Sequence, residues 1–141
     1  KLLEELILRT QGLNMLEMIF FIMQNNLLSA LSGLVFGAIF GIFPLIGALV
    51  NGVVLGYVMS LVFDVAGIGE FWRLLPHGIF EMTAIFIALG LGVHFGGFIF
   101  AKDKKKEFKR RFFEGINAFF MIILPLLMIA AVIEGVLIFL V

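Results

Sequence analysis

The side chains able to bind or react are few, and their spacing is specific. In Leu74-Leu75-Pro76-His77-Gly78-Ile79-Phe80-Glu81 a histidine and a carboxylate stand four residues apart, just after a proline and at the head of a long apolar run. On a helix, His77 and Glu81 stack on one face. His94 follows in the same run, Asn51 lies in the preceding run and Glu134 in the last. If these runs cross a membrane, as argued below, an ionised group at a helix centre costs about 2.5–3.5 kcal/mol on insertion scales and requires an account. Depth sorts the groups: Glu81 lies about 7 Å along its helix, His94 about 20 Å deeper, and Glu134 about 30 Å from Glu114 along its own. His77, Glu81 and Glu134 then form an outer layer, and Asn51 and His94 an inner one. A His94–Asn51 hydrogen bond between helices is expected, worth roughly 0.6–2 kcal/mol.

Two readings of His77 and Glu81 follow. In the structural one, the carboxylate sits near the positive end of a helix dipole and the imidazole bonds exposed carbonyls. In the other, both point at one metal ion or proton, with Glu134 as a third ligand. The chain has no cysteine and no HExxH pattern, so the expectation is a structural pair with no metal and no cofactor. Nucleophilic catalysis has little to work with: Thr10, Ser29, Ser32, Ser60 and Thr83 lie in no GxSxG elbow and at no evident spacing from either histidine. The glycines precede no Lys-Ser or Lys-Thr, which excludes a Walker-type phosphate loop.

The elements that must position these residues are membrane helices. Of 141 residues, 62% are hydrophobic and 14% charged, far from the quarter charged in soluble domains. Several apolar runs reach the roughly 20 residues needed to cross about 30 Å of hydrocarbon, and they lack the alternation of a barrel strand. The fold class is all-α: a polytopic membrane helical bundle forming one domain over residues 1–141. Spanning helices are predicted at 27–43, 45–66, 76–100 and 114–141.

Residues 1–23 mix Leu2, Leu3, Leu6 and Leu13 with Glu4, Glu5, Arg9 and Glu17, which predicts an amphipathic surface segment broken near Gly12. Asn25 and Asn26 are then placed to cap the first spanning helix. Small residues recur every fourth position in three helices: Gly33, Gly37 and Gly41; Ala48, Gly52, Gly56 and Ser60; Ala84, Ala88, Gly92 and Gly96. Such stripes let helix backbones approach closely in lipid. Pro44 and Gly47 mark a turn, residues 67–75 a surface loop carrying Trp72, and Pro76 the start of the third helix. Pro125 predicts a kink in the fourth.

Seven of the ten basic residues fall between Lys102 and Arg111. The positive-inside rule places this connection in the cytoplasm, which puts the His77 loop and the C-terminus outside. Residues 1–23 are then outside too, and the expectation is a further helix upstream. The basic cluster is explained by topology and by attraction to anionic lipid, about 1 kcal/mol per residue, without nucleic acid.

In order, Asn25-Asn26 before a glycine-striped helix, Asn51-Gly52 with Gly56, Leu75-Pro76-His77-Gly78 with Glu81, and a basic connection before the last helix resemble the stage II sporulation protein M family. The resemblance covers 24–141. It implies a multi-spanning membrane protein with an extra N-terminal helix, associated in sporulating bacteria with a scaffold that holds cell-wall-degrading enzymes at the engulfing septum. The family also occurs in organisms that never sporulate, archaea among them. The expected function is a non-enzymatic scaffold or assembly factor in the cell membrane, with membrane or extracytoplasmic protein partners or a second copy of itself. The alternative is a transport component lined by Glu81, Glu134, Asn51 and His94.

Overall fold

A computed structural model describes residues 12–37 and 42–140, all in helices and short connections. Among the described residues, four helices are long and apolar enough to cross a membrane. Helix α1 is Met15–Phe36, α2 is Ile42–Ala66, α3 is Phe71–Gly96, and α4 is Lys104–Leu140, interrupted by a π turn at Phe119–Ile123. Short 3-10 turns at Ile68–Glu70 and Gly97–Phe100 flank α3.

All four helix starts differ from the sequence expectation. Helix α2 begins at Ile42, so Pro44 and Gly47 lie in its first turns, where proline is tolerated, and do not mark a turn before it. The other three differ each for a local reason. Helix α1 begins at Met15, and its cap is Asn14. The Asn14 side chain accepts the Glu17 N–H at 3.0 Å, and the Glu17 carboxylate accepts the Asn14 N–H at 2.9 Å, a reciprocal capping box. Asn25 and Asn26 therefore sit inside a helix, and the residues from Met15 to Met23 are its first turns, not a separate surface segment. Just ahead of the helix, Gly12, with φ +84°, takes the left-handed backbone conformation that glycine adopts without strain. The rest of the expected surface segment, residues 1–11, lies outside the described residues, as does Gly41.

Helix α3 begins at Phe71, so Pro76 is inside it and Trp72 belongs to its first turn, not to a loop. The φ of proline suits a helix, but at the sixth position Pro76 cannot donate the backbone bond to the residue four before it, so the helix passes through the proline with one rung of its ladder missing. Helix α4 begins inside the basic stretch: the Asp103 carboxylate accepts the Lys106 N–H at 3.1 Å, and the lysines and arginines, good helix formers, carry the helix on. What reads as a connection is the polar start of the last helix. Pro125 stands two residues past the end of the π turn, and the Leu124 N–H between them reaches back to the Phe119 carbonyl. The wide turn gives room to a ring that would press on the carbonyl four residues before it.

The helices alternate in direction. Gly33 meets Leu89 while Gly37 meets Gly92, so α1 and α3 run parallel. Gly115 meets Leu34 and Gly135 meets Ile19, so α4 runs against both. Pro44 lies beside Gly92, and Leu55 and Met59 share a cleft with Leu75 and Gly78, so α2 also opposes α3. The core forms between α1, α3 and α4 from Ala30, Leu34, Ala84, Ala88, Phe119, Ile123 and Leu127. Helix α2 packs chiefly on α3 and stands at the edge.

Candidate functional site

His77 and Glu81 lie one turn apart near the start of α3, and Glu134 comes from the far half of α4. Their ligating atoms all lie within 4.8 Å of one another, and all three residues are half-buried. The antiparallel run of α3 and α4 makes this meeting possible, because it returns a residue near the end of α4 to the level where α3 starts. Two carboxylates this close repel when both are charged, the more so away from water, and His77 is the one basic side chain of the three.

Helix α1 adds what the sequence reading assigned elsewhere. Asn26 is 6% exposed, and its amide nitrogen is buried without a hydrogen-bond partner. It borders a partly open cavity of about 380 Å³ together with Asn25, Glu81 and Glu134, whose remaining walls include Met18 and Phe21. Neither asparagine caps a helix. Asn25 is exposed, and its carbonyl accepts the Ser29 hydroxyl at 3.1 Å.

The expected inner pair does not form. The Asn51 side-chain amide donates to the Gly47 carbonyl of its own helix at 2.8 Å, and an exposed His94 lies 3.4 Å from the Glu114 carboxylate. The Arg111 guanidinium donates to the His94 carbonyl at 2.5 Å. Arg110 bonds Glu107 at 2.7 Å and Glu114 at 2.7 Å, and Arg111 bonds Glu107 at 3.0 Å. This network ties the end of α3 to the start of α4. Its signal was present in the three- and four-residue spacing of Glu107, Arg110, Arg111 and Glu114. Beside it Phe95, Phe98, Phe108 and Phe112 form an aromatic cluster, with ring centroids 5.1 Å apart in the Phe95–Phe108 and Phe98–Phe108 pairs.

The hydroxyl of Thr83 donates to the Ile79 carbonyl at 2.6 Å, so like Ser29 it serves its own helix. Between the Glu81 level and the His94 level, Ala84, Ala88, Ile123 and Leu127 are fully buried.

The small residues divide into two groups. A methyl placed on Gly92 would overlap the Gly33 carbonyl, and one on Gly37 would overlap the Gly92 backbone, so α1 and α3 touch backbone to backbone. Gly96 is buried as well. On α2, Gly52 and Gly56 are exposed, and a methyl on either would meet nothing within 4 Å.

No curated protein and no solved structure matches the chain. Stage II sporulation protein M matches over residues 3–137, starting well before Gln24, where the sequence resemblance began. With nearly its whole length matched and four helices fit to cross a membrane, the chain belongs to the stage II sporulation protein M family.

Proposed function

We propose that the protein is a non-enzymatic scaffold of the cell membrane, which gathers a partner membrane protein against the outer face of α2. The observation that carries this reading is the open stripe of Gly52, Gly56 and Ser60, exposed on a helix whose other side rests on α3. In lipid no hydrophobic effect draws helices together, and small residues that admit a second backbone at close range favour association. The equivalent small residues of α1 and α3 are occupied within the fold, whereas those of α2 have room for a helix from another chain. The orientation that goes with this reading has residues 102–111 in the cytoplasm and the His77 end of α3 outside.

A photo-reactive residue in place of the exposed Tyr57 tests the proposal in native membranes. The expected product is an adduct with one further membrane protein or a second copy, lost when Gly52→Leu and Gly56→Leu are introduced together. Adducts with lipid alone would overturn it. A transport path through one copy has less support, since the fully buried Ala84, Ala88, Ile123 and Leu127 lie between the Glu81 and His94 levels.

A further inference from the structure

We propose that His77, Glu81, Glu134 and Asn26 form a binding site for one divalent first-row transition-metal ion at the end of the bundle away from the basic start of α4. The inference stands on two independent observations. The first is the convergence of an imidazole and two carboxylates from α3 and α4, with no two ligating atoms further apart than 4.8 Å. Bonds of about 2.1–2.2 Å set neighbouring donors roughly 3.4 Å apart in a tetrahedron and roughly 4.4 Å apart when opposed, so small side-chain rotations close the sphere. The second is Asn26, 6% exposed on α1, which lines one cavity with Glu81 and Glu134 and whose amide nitrogen is buried and unpartnered. A buried amide with no partner is expensive, and a half-turn of its last torsion exchanges nitrogen for a carbonyl oxygen that a cation would accept.

Charge argues the same way. Two carboxylates facing one cavity leave like charges together in a poorly solvated place, and a divalent ion neutralises both at once. One imidazole with carboxylate and amide oxygens suits Zn²⁺ or Mn²⁺ better than a copper(I) site, which prefers sulfur, or a calcium site, which takes oxygen alone. The cavity of about 380 Å³ leaves space for water to complete the coordination.

The test uses the full chain in lipid nanodiscs, stripped with chelator and titrated with Zn²⁺, Mn²⁺ and Ca²⁺ by calorimetry. One Zn²⁺ or Mn²⁺ per chain is expected, with Ca²⁺ bound far more weakly. Glu81→Gln and Glu134→Gln, close in shape to the native residues, should each weaken binding about tenfold or more, by analogy with losses around known metal sites. Glu114→Gln, at the opposite end of the bundle, should leave it unchanged. Failure of the wild-type chain to take up either transition metal would overturn the proposal, as would unchanged affinity in both Gln variants. X-ray absorption of the loaded wild-type protein decides independently of any variant: one imidazole among oxygen donors supports the site, and a shell without imidazole rejects it. The scaffold reading rests on α2 and stands or falls separately.

Discussion

At the scale of single residues, two positions separate packing from function. Gly92 has no room for a methyl, because the Gly33 carbonyl and the Pro44 ring already occupy the space. Gly92→Ala should therefore destabilise the bundle by about 1–3 kcal/mol, the usual range for overpacking. Gly52→Ala, with nothing within 4 Å and alanine the better helix former, should leave the isolated chain no less stable and raise its stability by up to about 1 kcal/mol. Thermal unfolding of both variants in the same detergent checks the pair, and equal effects would refute the division of the small residues into two groups. Asn26 makes the opposite case. Its unpartnered amide lowers stability, so Asn26→Leu should raise the unfolding free energy of the metal-free protein by about 1–3 kcal/mol. A loss of stability on that change would mean that the amide is satisfied within the fold. The proximity of His77 and Glu81 follows from their spacing alone, and Glu134 could be assigned to their level by counting turns. Asn26 was not legible as their neighbour, because an asparagine before an apolar run also reads as a helix cap.

At the scale of elements, the last helix carries the feature that sequence could least reveal. Gly115, Phe119, Ile123, Leu127, Ala131 and Gly135 are all buried, at a constant spacing of four. Each four-residue step on an α-helix overshoots a full turn by about 40°, so a straight helix would carry this line toward lipid. The π turn at Phe119–Ile123 holds one extra residue and takes back about 100° of that drift. It thereby keeps Glu134 facing Glu81 while Gly115 faces Leu34. Pro125 was visible as an irregularity, but its form depends on which face the rest of the bundle requires. The same dependence explains the helix starts. The Asn14 and Glu17 capping box had the right spacing in the sequence, and the charged residues around it read as surface. The basic stretch read as a connection because its charge was legible and its helical pairing had to compete with that reading. Deleting the exposed Met121 should turn the π turn into an ordinary α turn, leaving Pro125 against the carbonyl four positions before it. We expect that deletion alone to be about 3 kcal/mol less stable than the same deletion combined with Pro125→Ala. Equal stabilities in thermal unfolding would show that the proline is not what the wide turn accommodates.

At the scale of the whole molecule, the two ends of the bundle differ in kind. One end holds Glu81, Glu134 and Asn26 around a cavity, with His77 beside the two carboxylates; the other holds the paired Glu107, Arg110, Arg111 and Glu114 with a row of exposed lysines. Arg110 and Arg111 are engaged with acidic partners, so their charge is partly answered within the fold. The orienting charge is then carried mainly by Lys102, Lys104, Lys105, Lys106 and Lys109. Each is worth about 1 kcal/mol beside an anionic leaflet, and together they bias insertion by several kcal/mol, enough for one orientation to dominate. Replacing all five with Gln should remove most of that bias while keeping the helix, since Gln is nearly as good a helix former as Lys. The chain contains no cysteine, so a single reporter can read the outcome. Phe100→Cys, at a position 87% exposed, sits beside the basic stretch. In the otherwise native chain it should be labelled by an impermeant maleimide from the cytoplasmic side only; in the five-Gln chain it should be labelled from both sides. Labelling that stays cytoplasmic in the five-Gln chain would transfer the orienting role to other parts of the sequence, and labelling of the native chain from outside would invert the assignment of both ends.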